Sequence, residues 1–131
     1  KCVKDIKEIF TDSDYITVHV PLMDATRDTI NAEAIEMMKD GVIILNNARG
    51  GLVVEQDLAD ALNSGKVYAA GLDAVRDEPI AMDNPLLSCP NVFFTPHISW
   101  SALEGRQRLV SYSLDNLKAY LAGNPTNVVN M

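Results

Sequence analysis

The sequence predicts an α/β fold built on one sheet of parallel strands, and three observations carry that expectation. Short runs rich in Val, Ile and Leu alternate with stretches whose apolar residues recur at helical spacing. The runs beginning at Tyr15, Val42 and Val67 are apolar or β-branched at nearly every position, as strands buried on both faces are. Strand, helix, strand, helix, strand at these intervals leaves room for the right-handed crossovers that parallel pairing requires.

Val3, Ile6, Ile9 and Phe10 mark an opening helix that stops at the turn-rich Thr11-Asp12-Ser13-Asp14. Tyr15 to Val20 then reads as an interior strand covered on both faces, ended by Pro21, which lacks the N–H a ladder needs. A helix over about Ala32 to Lys39 follows, with Asn31 as N-cap, Glu33 in the first turn and Gly41 as the left-handed stop. Val42 to Leu45 is the second buried strand, and Asn46 to Val54 a loop. Leu58, Ala61 and Leu62 share one face of a helix from about Glu55 to Asn63, closed by Gly65. Val67 to Leu72 is the third strand. Asp83-Asn84-Pro85-Leu86-Leu87 places a capping residue before Pro, as a single helical turn does, and Val92 to Thr95 is a short fourth strand. Ser101 and Glu104 form a capping box for the longest helix, whose face of Leu103, Val110, Leu114, Leu117 and Leu121 runs to Gly123 and Pro125.

A content of 47% hydrophobic and 22% charged residues over 131 positions suits one globular core. Eighteen acidic residues against eleven basic give a net charge of -7, which repels phosphate backbones and anionic lipid. Neither nucleic acid nor a membrane is therefore an expected partner. No apolar run approaches the ~18 residues of a spanning helix and no basic-then-apolar signal opens the chain, so a cytoplasmic location is expected. Cys2 and Cys89 form no Cys-x-x-Cys pair and no paired His spacing accompanies them, which points to reduced thiols and no metal site. The start at Lys1, directly in a helical pattern, reads as a cut end.

Ligands of such sheets sit beyond the carboxyl ends of the strands. Val20-Pro21, Asn46-Asn47-Ala48-Arg49-Gly50, Asp73 and Pro96-His97 follow the strands and are expected to converge on one crevice. Arg49 has small neighbours, Ala48 and Gly50-Gly51, that admit a ligand to a planar guanidinium able to grip a carboxylate through two bonds; taken singly, a surface Arg paired with an acid is the commoner case. His97 sits at a strand end, where a carboxylate partner such as Glu78 would keep its imidazole protonated near neutral pH and ready to deliver the proton. His19 is assigned to the core or a strand end, without chemistry, and Met37-Met38 to packing. Asp73, ending an apolar strand, is either a helix-capping or loop-bonding acid or an acceptor for an amide.

Asn46-Asn47-Ala48-Arg49-Gly50-Gly51, Gly71-Leu72-Asp73, Glu78-Pro79 and Thr95-Pro96-His97, in that order and at those gaps, resemble the C-terminal signature of the D-isomer-specific 2-hydroxyacid dehydrogenases, and the resemblance runs from Asp14 to Val129. It implies a partial Rossmann-like, doubly wound parallel sheet: the C-terminal part of a dinucleotide-binding domain over residues 1–122, lacking the first βαβ phosphate-binding unit, with a tail over 123–131 returning to a substrate domain. By the same resemblance, Arg49 holds the 2-oxo acid, His97 is the acid/base and Glu78 orients and charges it. NAD or NADP is the implied cofactor, touched by Val20, Pro21, Asn47, Ala48, Arg49, Asp73 at the carboxamide, His97, Ser99 and Trp100. No Gly-x-Gly-x-x-Gly occurs among the glycines, so the pyrophosphate loop and the residue that selects NAD or NADP are expected upstream of Lys1.

Glu78-Pro79-Ile80, then Asp83 to Leu87, His97-Ile98-Ser99-Trp100 and Arg106-Gln107-Arg108-Leu109 are similar to the glycerate dehydrogenase/hydroxypyruvate reductase branch of that family. The implied reaction is hydride transfer between NAD(P)H and a small 2-oxo acid, hydroxypyruvate or glyoxylate giving D-glycerate or glycolate, in a parent expected to be a homodimer. Alone, the segment is expected to be inactive and to carry an exposed sheet edge. Arg76 departs from the family pattern, which more often has an aromatic or small residue there, so the loop bearing Glu78 is expected to differ locally. A second class stays open: a non-enzymatic dinucleotide sensor or corepressor on the same scaffold.

Overall fold

The computed structural model describes residues 2–129, divided into one body through His97 and a second from Ile98. In the first, Asp5 opens α1 (Ile6–Asp12) by accepting the Lys7 N–H, a cap that the hydrophobic spacing alone does not reveal. It continues with β1 (Tyr15–Val18), α2 (Ala32–Met37), β2 (Val42–Asn46), α3 (Glu55–Ser64), β3 (Val67–Leu72) and β4 (Val92–Phe94). Two 3-10 turns, Gly50–Leu52 and Pro85–Ser88, interrupt the loops. The second body contains α4 (Leu103–Leu121).

The four strands lie in the order β1-β2-β3-β4, all parallel, as the α/β expectation requires. Val18, Asn46, Leu72 and Phe94 are register partners across the sheet, so every strand ends on one row. The segments that follow the strands therefore leave the sheet at one level, which is how residues far apart in sequence reach one rim.

The core fills one face of this sheet. Ile16, Val18, Ile44, Ala70 and Leu72 pack in one cluster with Phe10 of α1, Ile35 of α2 and Leu58 and Leu62 of α3. Fully buried side chains such as Ile44, Leu52 and Leu58 each stabilise the fold by roughly 1.5–3 kcal/mol. Leu86 anchors the second 3-10 turn, whose Asn84 side chain accepts the Leu86 N–H, so the single turn expected there forms.

Several expectations need correction. β1 is not covered on both faces: Ile16 and Val18 are buried, whereas Tyr15 and Thr17 are exposed, because the helices of this body pack on one face only. It also ends at Val18, leaving His19 and Val20 exposed, so of the two places expected for His19 the strand end holds and the core does not. β4 stops at Phe94, one residue short of the expected Thr95, and its Phe93 is 71% exposed. α2 stops at Met37; Met38 caps it in extended conformation, and Gly41 (φ +80°) instead turns the chain into β2, with its N–H on the Lys66 carbonyl. Gly65 (φ +81°) closes α3 as expected. Ser101 and Glu104 form no capping box: α4 begins one residue later, Ala102 occupies the N-cap, and no side chain caps it. The face of Leu103, Val110, Leu114, Leu117 and Leu121 is exposed along its whole length.

Candidate active site

At the end of β2 the apolar run gives way to Asn46, which is fully buried. Its amide Nδ2 donates to the Arg49 carbonyl at 2.8 Å and its Oδ1 accepts the Ala48 N–H at 3.0 Å, folding the chain back beneath Arg49. Arg49 itself is exposed, with Nη1 donating to the Ala48 carbonyl. From the sequence Asn46 reads only as the first residue of a loop; it is the last residue of β2, and its burial appears only with the loop folded over it.

Among the glycines, Gly50 makes the tightest backbone approach. A Cβ at this position would lie 1.9 Å from the Val75 carbonyl carbon and 2.3 Å from the Arg76 nitrogen, so only glycine lets the loop after β3 lie against the loop after β2. Gly50→Ala is accordingly expected to destabilise the protein by about 1–3 kcal/mol, read by chemical denaturation, because backbone must move to admit the methyl group. Unchanged stability would contradict the contact.

Asp73 directly follows β3 and is 4% exposed, and Thr95, just after β4, donates its hydroxyl to the Asp73 carboxylate. Asp73 thus bonds a loop residue and is also among the residues that line a cavity. Two residues past Thr95, His97 adopts φ 55°, in the left-handed region that His tolerates better than most side chains, and its N–H bonds the Thr95 carbonyl. His97 Nδ1 lies 2.8 Å from Glu78 Oε2, while Glu78 Oε1 accepts the Val75 N–H at 3.2 Å. The His97 hydrogen bond is the main reason the Glu78 carboxyl is held below the usual carboxylate range. Desolvation opposes it, and the Val75 N–H and the charges of His97 and Arg49 add to the lowering. Glu78 is thus a carboxylate through neutral pH, and its charge is lost to the pair as pH falls through that depressed value.

The strand ends open onto two hollows rather than one crevice. Asp73, Val75, Glu78, Ile80, Thr95 and His97 are among the residues lining a cavity of about 450 Å³. Val20, Pro21, Asn47, Ala48 and Arg49, with His19 and Leu22, line the other. The Val75–Arg76 peptide lies against Gly50, the residue after Arg49, and the Arg49 charge helps to lower the Glu78 carboxyl. Ser99 and Trp100 lie in the second body at the turn before α4, where the Arg106 guanidinium sits 6.0 Å from the Trp100 ring centroid. Cys2 and Cys89 are free thiols, and burial pushes that of Cys89 up. Among the described residues no helix is long and apolar enough to cross a membrane.

Residues 1–99 match the family described as D-isomer specific 2-hydroxyacid dehydrogenase, NAD binding domain. The sequence is 56% identical over 126 residues to a hydroxypyruvate reductase of Blautia hydrogenotrophica, covering 96% of this chain and 39% of that protein. It is 44% identical over 127 residues to a glycerate dehydrogenase of Methylorubrum extorquens, covering 95% and 40%. A D-isomer specific 2-hydroxyacid dehydrogenase from Xanthobacter autotrophicus Py2, solved with NADPH and MES, superposes with a TM-score of 0.85 at 32% identity, over 95% of this chain and 51% of that one. The chain therefore spans about 40% of the length of these two curated relatives.

Proposed function

The chain belongs to the D-isomer specific 2-hydroxyacid dehydrogenase family, within its NAD-binding domain, and from that premise we propose that the full-length protein reduces a small 2-oxo acid of the hydroxypyruvate or glyoxylate kind, and oxidises the D-2-hydroxy acid in reverse. The observation that carries this reading is the Glu78–His97 pair, 2.8 Å apart on a cavity that Asp73 also lines, with the Arg49 charge within electrostatic reach.

The donors present suit a nicotinamide. Asp73 offers a buried acceptor for a carboxamide, and Val20, Pro21, Asn47 and Ala48 offer backbone and apolar surface in the neighbouring hollow. When bound, the reduced nicotinamide supplies the hydride. Arg49 grips the substrate carboxylate and stabilises negative charge on the oxo oxygen as it develops. Glu78 accepts from Nδ1 of His97, which leaves Nε2 to hand its proton to that oxygen, and the nascent alkoxide becomes the hydroxyl. In this reading the tail after α4, described through Val129, leads back to a substrate domain, and the protein works as a cytoplasmic homodimer.

The test is an assay of the full-length protein with NADH and then NADPH against hydroxypyruvate, glyoxylate and pyruvate, following loss of reduced nicotinamide. Turnover of hydroxypyruvate or glyoxylate is the expected result. Dinucleotide binding without turnover of any 2-oxo acid would overturn it and favour a sensor.

A further inference from the structure

We propose that Arg76, held by Glu55 and Asp28, is a positioning residue that fixes the Glu78 carboxylate opposite His97. The inference rests on the reading of Glu78 and His97 given above and names what holds that pair in place.

Consecutive N–H groups of the loop after β3 go to different acids. Val75 N–H donates to Glu78 Oε1, and the next one along, Arg76 N–H, donates to Glu55 Oε1 at 2.7 Å. Glu55 opens α3, and its other oxygen accepts from Asn84 Nδ2 at 2.8 Å, so this carboxylate ties the loop to a core helix and to the Asn84 turn at once. The Arg76 side chain reaches the opposite way. Its Nη2 donates to the Val53 carbonyl at 2.9 Å and pairs with the Asp28 carboxylate. Asp28 is in turn fixed through its N–H on the Gly51 carbonyl.

Arg76 thus ties three loops together: the one after β1 through Asp28, the one after β2 through Val53, and its own. With Gly50 supporting the Val75–Arg76 peptide from below, the Val75 N–H has little freedom, and the carboxylate it holds is aimed at Nδ1. The Arg76–Asp28 pair is partly exposed, so its Coulomb attraction adds little stability. Its consequence is geometric. A carboxylate displaced by an ångström no longer meets the imidazole, and losses from such misplacement are large.

Arg76→Ala and Glu55→Ala, made separately in the full-length protein, test this by two readouts. NMR titration of the Glu78 carboxyl needs no activity: both variants are expected to raise its pKa toward the usual carboxylate range, and Arg76→Lys to restore it in part. Glu55→Ala is the discriminating variant, because deleting a negative charge acting through space would lower that pKa, whereas releasing the loop raises it. In the kinetic assay kcat is expected to fall by about tenfold to a hundredfold, with KM changed by less than about threefold.

Folded variants whose Glu78 titration and kcat match wild type would overturn the proposal. Should either alanine variant fail to fold, Asp28→Asn, which leaves Arg76 and Glu55 in place, is judged by the same two results. If the wild-type protein turns over no 2-oxo acid, the functional reading fails, while the titration still decides whether Arg76 positions Glu78.

Discussion

His97→Ala in the full-length protein is expected to lower kcat by roughly 10²–10⁴-fold while leaving KM for the 2-oxo acid far less changed. The imidazole acts on a proton that moves only as the alkoxide forms, so its loss is felt in the transition state more than in the bound ground state. The same substitution removes the main cause of the depressed Glu78 carboxyl, whose pKa should rise toward the usual range in a titration of the variant. Equal losses in kcat and in substrate affinity would contradict the assignment of His97 to proton transfer.

Arg49→Ala is expected to raise KM and lower kcat together, reducing kcat/KM by at least about a hundredfold. A guanidinium that grips the substrate carboxylate does so before and during hydride transfer, and near the oxo oxygen it also meets the developing charge. Arg49→Lys should recover only part of this, because an ammonium lacks the two-pronged geometry. Steady-state kinetics of both variants with hydroxypyruvate are the check. A substitution that spares KM would place the carboxylate elsewhere.

The site was legible in the sequence to the extent that parallel strands were. Once Tyr15, Val42, Val67 and Val92 are read as strand starts, the residues after each are expected on one rim, and the row Val18, Asn46, Leu72, Phe94 is the physical basis of that expectation. Which face of β1 is covered was not legible, because Tyr15 and Thr17 are as β-prone as the buried Ile16 and Val18. The Ser101–Glu104 spacing is that of a capping box, but the box needs Ser at the N-cap, and a start one residue later moves both out of register. Contacts between distant polar residues leave no periodic trace at all. Arg76 meets Glu55 across 21 positions and Asp28 across 48; a departure from a family pattern marked Arg76 as unusual but could not say what it held. Asn46 was overlooked for a related reason: its role is burial, and burial of a polar side chain is visible only once the loop above it is folded.

The proposed reaction requires Arg49, Glu78 and His97 to gather around one oxo acid. A crystal structure of the full-length protein with a reduced dinucleotide and an unreactive 2-oxo acid analogue tests it most directly. The analogue's carboxylate should lie on the Arg49 guanidinium and its oxo oxygen within hydrogen-bond distance of His97 Nε2, with Glu78 still on Nδ1. An analogue bound with His97 out of reach of that oxygen, or with Arg49 turned away from it, would contradict the account.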